Sequence, residues 1–286
     1  MDEFLDIPYV SATEPGSRDI FREFDLYVPH SCHAEEARQS MRPLICFVHG
    51  GAWRSEDKGD HNHLARRLAF RTGCPVAVPN YRLTKPEMPL EHPGHAEDIL
   101  QFLVTIVSWS GPPGLTGAPY DPTRIFLMGH SCSAHMLASI LLESSWPSLV
   151  PPANLIRAVC GVVFSEGIYD IDLLLRTFPA YRGWFIANTF GDRSSYAAES
   201  VTTFKRRESG GHIRWLIVHS TGDTLVDILQ SEAMYNHLVE LGGSESAASG
   251  MVMRNWGDLK EEHNDVLRAE RFIELTGNFI TADVRV

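Results

Sequence analysis

Seven short apolar, β-branched runs recur along the chain: FDLYV, PLICFVHG, CPVAVPNYRL, RIFLMGHS, IRAVCGVVFSEG, RWLIVHSTGD and SGMVMRNW. Runs this short, apolar on both sides, read as strands covered on both faces rather than as strands with one wet side. Between them lie HNHLARRLAFR, GHAEDILQFLVTIVSW, SAHMLASILLESS, LVDILQSEAMYNHLVEL and HNDVLRAERFIELTGNFI, whose apolar residues fall three and four apart, the spacing of an amphipathic helix. Strands alternating with helices predict an α/β fold with a mostly parallel central sheet and helices on both faces. A length of 286 residues is compatible with about two domains. No repeat, low-complexity tract or linker divides the chain, however, so a single domain spanning 1–286 is expected.

One segment breaks the rhythm. YDIDLLLRTFPAYRGWFIANTFGDRSSY, residues 169–196, follows the strand ending at SEG and is rich in aromatics. It reads as a small cap insertion over the C-terminal edge of the sheet, where open α/β folds bind ligands. Phe178, Tyr181 and Phe185 are also spaced as one helix's buried face, which is an equal reading. SGPPGLTGAPYDP, 110–122, reads as a Gly/Pro-rich loop whose last turn is set by Asp121 and Pro122.

Charge excludes some partners. The net charge is −11, from 36 acidic against 25 basic residues, and no Lys/Arg run is interleaved with aromatics, so nucleic acid is not an expected partner. The acidic start MDEFLD lacks the form of a secretory signal, and no apolar run approaches the roughly 18 residues of a membrane helix. The C-terminal ADVRV carries no lipidation or retention signature. The five cysteines, at 32, 46, 74, 132 and 160, form no CxxC pair and fall partly inside strand-like runs, which fits reduced side chains. A cytoplasmic protein with a small-molecule substrate and no membrane partner is expected, and a homodimer stays open.

Ser131 lies between a predicted strand and a predicted helix in the frame Gly129-His130-Ser131-Cys132-Ser133, a near match to the G-x-S-x-G nucleophile elbow in which Ser133 replaces the second glycine. A helix-capping serine is the structural alternative. A nucleophilic serine needs a base and a carboxylate that orients the base. Asp223 ends WLIVHSTGD and His263 lies in KEEHNDVL, after the next strand, which is the chain order this elbow requires. Asp227 competes for the acid role but is expected one turn inside the following helix, and His237 falls within that helix. HGGAW, His49 to Trp53, follows the run LICFV; its glycines leave backbone N–H groups open to an approaching oxyanion. Gly50 and Gly51, with the N–H of Cys132, are the candidate oxyanion hole, and the Cys132 thiol is expected to be incidental. As a nucleophile Cys132 would have the wrong frame. His49 is read as bracing its own loop. HNH (61–63) and HPGH (92–95) place histidines close together without Cys or carboxylate partners at a familiar ligand spacing, so surface or loop histidines are expected and no metal or cofactor.

HGGAW, YRL, HAEDI, GHSCSA, SEGIYD, HSTGDTLV and EEHND occur in the order seen in HGG-type α/β hydrolases, and the chain most resembles the fungal kynurenine formamidases from about residue 42 to 275. The resemblance implies the α/β-hydrolase fold and cofactor-free hydrolysis of N-formyl-L-kynurenine to L-kynurenine and formate. It implies Ser131, Asp223 and His263 as the triad and HGGAW as the oxyanion loop; Ser133 departs from the family's glycine. A formyl group with a large arylamine leaving group calls for a roomy aromatic wall, with Trp53, Tyr81, Trp184 and Phe185 as candidates, although Trp53 fits the core equally well. A short-acyl carboxylesterase of the same fold is the alternative, and a non-catalytic ligand receptor on the same scaffold is the reading from another class.

Overall fold

Each predicted strand run is rich in β-branched or aromatic residues and takes its place in one central sheet. A computed structural model describes residues 1–11, 17–33, 41–112, 117–243 and 245–282, so residues 113–116 of the Gly/Pro-rich loop and the C-terminal 283–286 lie outside the described residues. The strands are β1 (Asp2–Pro8), β2 (Glu23–Val28), β3 (Pro43–Val48), β4 (Val76–Pro79), β5 (Asp121–His130), β6 (Leu142–Glu143), β7 (Val159–Ser165), β8 (Lys205–Arg206), β9 (Arg214–Val218) and β10 (Val252–Asn255). Eight of them form one sheet in the order β1-β2-β4-β3-β5-β7-β9-β10, while β6 and β8 make a separate two-stranded pair. Pairing is parallel from β4 through to β10, and antiparallel only where β1 meets β2 and β2 meets β4. The expected mostly parallel sheet is therefore present.

Alternation along the strands divides the core. Ile45, Phe47, Phe126, Met128 and Val163 point to one face, under the helices Asn62–Thr72 and Glu270–Thr281. Their neighbours Leu44, Cys46, Val48, Leu127 and Val162 point to the other, under Gly94–Ile106, Cys132–Leu141 and Ile228–Gly242. With both faces covered, the only open side of the central strands is an edge. The chain leaves the C-terminal ends of β3, β5, β7, β9 and β10 into HGGAW, Ser131, Glu166, Asp223 and the loop to His263, which gathers these residues at one edge of the sheet.

Two features differ from expectation. β1 is an added edge strand with alternating exposure, hidden in the sequence by its acidic residues. Residues 169–196 do not form one helix: Ile171–Thr177, N-capped by Asp170 on the Leu173 N–H, ends before Pro179, and a π-helical turn (Arg182–Ile186) leads into Ala187–Phe190. Phe178 and Tyr181 still stack, at a ring separation of 4.9 Å, and Phe185 meets Tyr181 at a tilt, at 5.1 Å.

Candidate active site

Ser131 sits between β5 and the helix Cys132–Leu141 with φ 58° and ψ −124°, a backbone conformation that costs a non-glycine residue about 1–3 kcal/mol. The surroundings hold it there. Its N–H donates to the Ser165 carbonyl at 2.9 Å, and its own carbonyl accepts from Ala134 and Ile168 at 3.2 Å each. Ser133, in the place of the second elbow glycine, is fully buried, accepts the His130 N–H at 2.7 Å and faces the carbonyls of Val48 at 2.7 Å and His130 at 2.8 Å. The hydroxyl fits without displacing the turn and ties the ends of β3 and β5 together.

Asp223 and His263 meet. The His263 Nδ1 lies 2.7 Å from Asp223 Oδ2, while Asp223 Oδ1 accepts the N–H groups of Leu225 and Val226 at 2.8 and 3.0 Å. Burial opposes ionisation of Asp223, but the hydrogen bond and charge of His263 with those two amides outweigh it and hold the carboxyl below its usual range. Asp227 is the residue before the helix Ile228–Gly242, not one turn inside it as the sequence suggested, and neither of its carboxylate oxygens has a partner among the described residues. His237 donates its Nε2–H to the Phe204 carbonyl, 2.8 Å away, which fixes it in packing.

The HGGAW loop turns over Ser131. Gly51 has φ +90° and a Cβ there would sit 2.2 Å from the Ser55 carbonyl oxygen; at Gly50 a Cβ would stand 3.1 Å from Ser131 Cβ. Glycine is therefore demanded by backbone conformation at one position and by approach to the serine at the other. Tyr81 donates its hydroxyl to the Gly50 carbonyl at 2.6 Å, which pins the loop from behind. The Cys132 thiol is not incidental: its sulfur accepts the Trp53 N–H at 3.3 Å, and burial pushes its pKa up to about 12, so the group stays a thiol.

Ser131 and His263 line one cavity of about 260 Å³ together with Gly51, Ala52, Arg54, Glu56, Tyr181, Trp184 and Phe185. Trp184 and Phe185 thus face the cavity. Trp53 and Tyr81 do not: both are fully buried behind the loop, Trp53 packed on His135, Phe185 and Phe190 and Tyr81 stacked on His49. Their place as an aromatic wall is corrected to that of supports, because the loop's turn at Ala52 and Trp53, with φ 53° and 60°, swings the indole into the core.

Of the histidines expected at the surface or in loops, His63 is exposed, whereas His61, His92 and His95 are buried. His61 Nε2 lies 3.0 Å from Glu56 Oε2, a carboxylate partner that sequence spacing does not disclose, and His95 Nε2 lies 2.9 Å from Thr84 Oγ1. Burial opposes ionisation of Glu56, but His61 more than offsets it, so Glu56 brings a negative charge to the cavity wall. His49, Glu56 and His61 could offer one ligand atom each within 4.8 Å of one another. His130, unassigned from sequence, packs its ring on His263 at 4.7 Å and lies 3.4 Å from Asn264 Oδ1 through Nε2; burial, then the neighbouring His263, drive its pKa down to about 3. It is a neutral ring packed against His263. The sequence signal was its place beside Ser131, where only the serine drew notice.

Among the described residues no disulfide is formed, and no helix is long and apolar enough to cross a membrane. The chain is similar at low identity to several known proteins. A kynurenine formamidase of Meyerozyma guilliermondii is 26% identical over 68% of this chain and 70% of its own length. A probable isoprenylcysteine alpha-carbonyl methylesterase of Oryza sativa subsp. japonica is 28% identical over 76% of this chain and 50% of its own. Among solved structures, a truncated carbohydrate esterase from gut microbiota superposes with a TM-score of 0.68 at 16% identity, covering 99% of this chain and 96% of that one. Residues 45–244 match the family described as alpha/beta hydrolase fold, and with that span covering most of the chain, the protein belongs to the alpha/beta hydrolase family.

Proposed function

We propose that this hydrolase is a serine enzyme that cleaves an aryl formamide, N-formyl-L-kynurenine, to L-kynurenine and formate. The observation that carries the reading is the convergence of Ser131 and the Asp223–His263 pair on a cavity that is aromatic on one side and bears Arg54 and Glu56 on another. Tyr181, Trp184 and Phe185 suit an arylamine, and a cation with an anion suits the carboxylate and ammonium of an amino-acid leaving group. An isoprenyl chain would bring no charged group to meet either of them. The formamidase relative supports the same substrate.

In this reading the Ser131 oxygen bonds to the formyl carbon as His263 takes its proton. The charge formed on the carbonyl oxygen is met by the N–H groups of Gly50, Gly51 and Cys132. The C–N bond then breaks with the proton passing from His263 to the arylamine, and water, activated by His263, clears the formyl ester. A short-acyl carboxylesterase uses the same steps, and the methylesterase relative favours that second reading. Labelling with a fluorophosphonate tests the nucleophile: modification of Ser131, lost in Ser131→Ala, is expected. Folded protein that takes no label would favour a non-catalytic binding protein.

A further inference from the structure

Behind Asp223 lies a second carboxyl that the steps above do not use. Glu166 follows the C-terminal end of β7, its side chain has no exposed surface, and its φ is 52°, another strained non-glycine position at this edge of the sheet. Ligand atoms of Glu166, His219 and Asp223 lie within 4.8 Å of one another. The Ser220 N–H is shared between the two Glu166 oxygens at 3.0 and 3.1 Å. His219 Nδ1 is 3.4 Å from Glu166 Oε2 but 2.8 Å from Ser231 Oγ, so the hydroxyl is its nearer partner.

We infer that Glu166 is a positioning residue: it holds a proton in the resting enzyme and donates it in a hydrogen bond to Asp223, fixing that carboxylate against His263. The geometry decides where the proton goes. Two adjacent carboxylates shielded from water repel too strongly for both to ionise. Asp223 has three donors, His263 Nδ1 and the N–H groups of Leu225 and Val226, whereas Glu166 has one shared N–H. Burial also holds His219 to its neutral form, so it brings no compensating cation. The balance of burial, the Asp223 charge and a further contribution from Glu261 favours the neutral acid at Glu166. A protonated Glu166 converts a repelling neighbour into a donor, and it completes a chain from Glu166 through Asp223 to His263.

The inference rests on Asp223 and His263 as the working pair, and its test separates the two. Infrared spectra of the wild-type enzyme at neutral pH are compared with those of Glu166→Gln. A buried neutral carboxyl stretch, present in the wild type and absent in the variant, is expected whatever the substrate. Turnover of p-nitrophenyl acetate is measured alongside, with folding checked by circular dichroism. Glu166→Gln keeps kcat within about threefold, since its amide N–H replaces the acid O–H. Glu166→Ala, which leaves Asp223 without that donor, lowers kcat about 10- to 100-fold with little change in KM. A carboxyl stretch that survives in Glu166→Gln overturns the inference, as does a folded Glu166→Gln whose kcat collapses. Should Glu166→Ala fail to fold, the spectrum and the glutamine variant decide. Full activity in Asp223→Asn would instead sink the triad reading, leaving the infrared result to report on Glu166 alone.

Discussion

The Cys132 sulfur accepts the backbone N–H of Trp53 at 3.3 Å, so the residue after the elbow serine is latched to the loop that hangs over it. Two segments that the proposed mechanism sets around one oxyanion, 79 residues apart in sequence, are thereby held in register. Cys132→Ala is expected to lower kcat about tenfold with KM nearly unchanged, because the donors then sit in a looser arrangement. Steady-state kinetics check this, and an unaltered kcat would remove the latch. The same thiol, held protonated by burial, should resist iodoacetamide until the protein unfolds.

Ser133 makes the elbow more than a tolerated departure from glycine. Its buried hydroxyl meets the His130 N–H and the carbonyls of Val48 and His130. Ser133→Gly, which restores the usual elbow residue, should therefore destabilise the fold by about 1–3 kcal/mol through the unpaired His130 N–H. Urea unfolding with an unchanged midpoint would contradict that.

Acid should weaken the fold sooner than carboxylate titration alone would. Burial lowers His49 and His135 to about 4 and His95 and His130 to about 3, from an ordinary 6.5. With folded pKa values below the unfolded one, the unfolded chain binds more protons throughout that interval. The stability these neutral rings contribute is thus complete above pH 6.5 and drains away as pH falls toward 4 and 3, at up to about 1.4 kcal/mol per ring per pH unit. A melting temperature that stays level from pH 6.5 down to 4 would oppose this account.

Arg54 lines the cavity and donates to the Trp184 carbonyl at 2.6 Å. Arg54→Ala should raise KM for N-formyl-L-kynurenine about tenfold, the loss of one charge-assisted contact, while leaving p-nitrophenyl acetate nearly unaffected. Equal effects on both substrates would indicate a role in shaping the wall and not in reading the carboxylate.

Much of this architecture is legible in the sequence because short-range rules govern it. The seven apolar runs became sheet strands, since continuous β-branched stretches have no other way to bury both faces. Ser131, Asp223 and His263 could be placed because each follows a strand, and strand order brings strand ends together. What stayed hidden depends on distance in three dimensions. Glu56 meets His61 across a turn, His130 packs against His263 from 133 positions away, and Glu166 reaches Asp223 from a neighbouring strand. None of these pairs has a spacing that local periodicity reads. Trp53 and Tyr81 misled because an aromatic beside a site looks the same in sequence whether it faces the cavity or the core; the positive φ values at Ala52 and Trp53 decide it.

The central claim is that Ser131 cleaves an aryl formamide. The most direct measurement is kcat/KM for N-formyl-L-kynurenine beside p-nitrophenyl acetate and butyrate, with Ser131→Ala as the blank. The account predicts a strong preference for the formamide and, in the variant, a fall of several orders of magnitude on every substrate. Ester turnover that far exceeds that of the formamide would contradict the substrate, and activity that survives in Ser131→Ala would contradict the nucleophile.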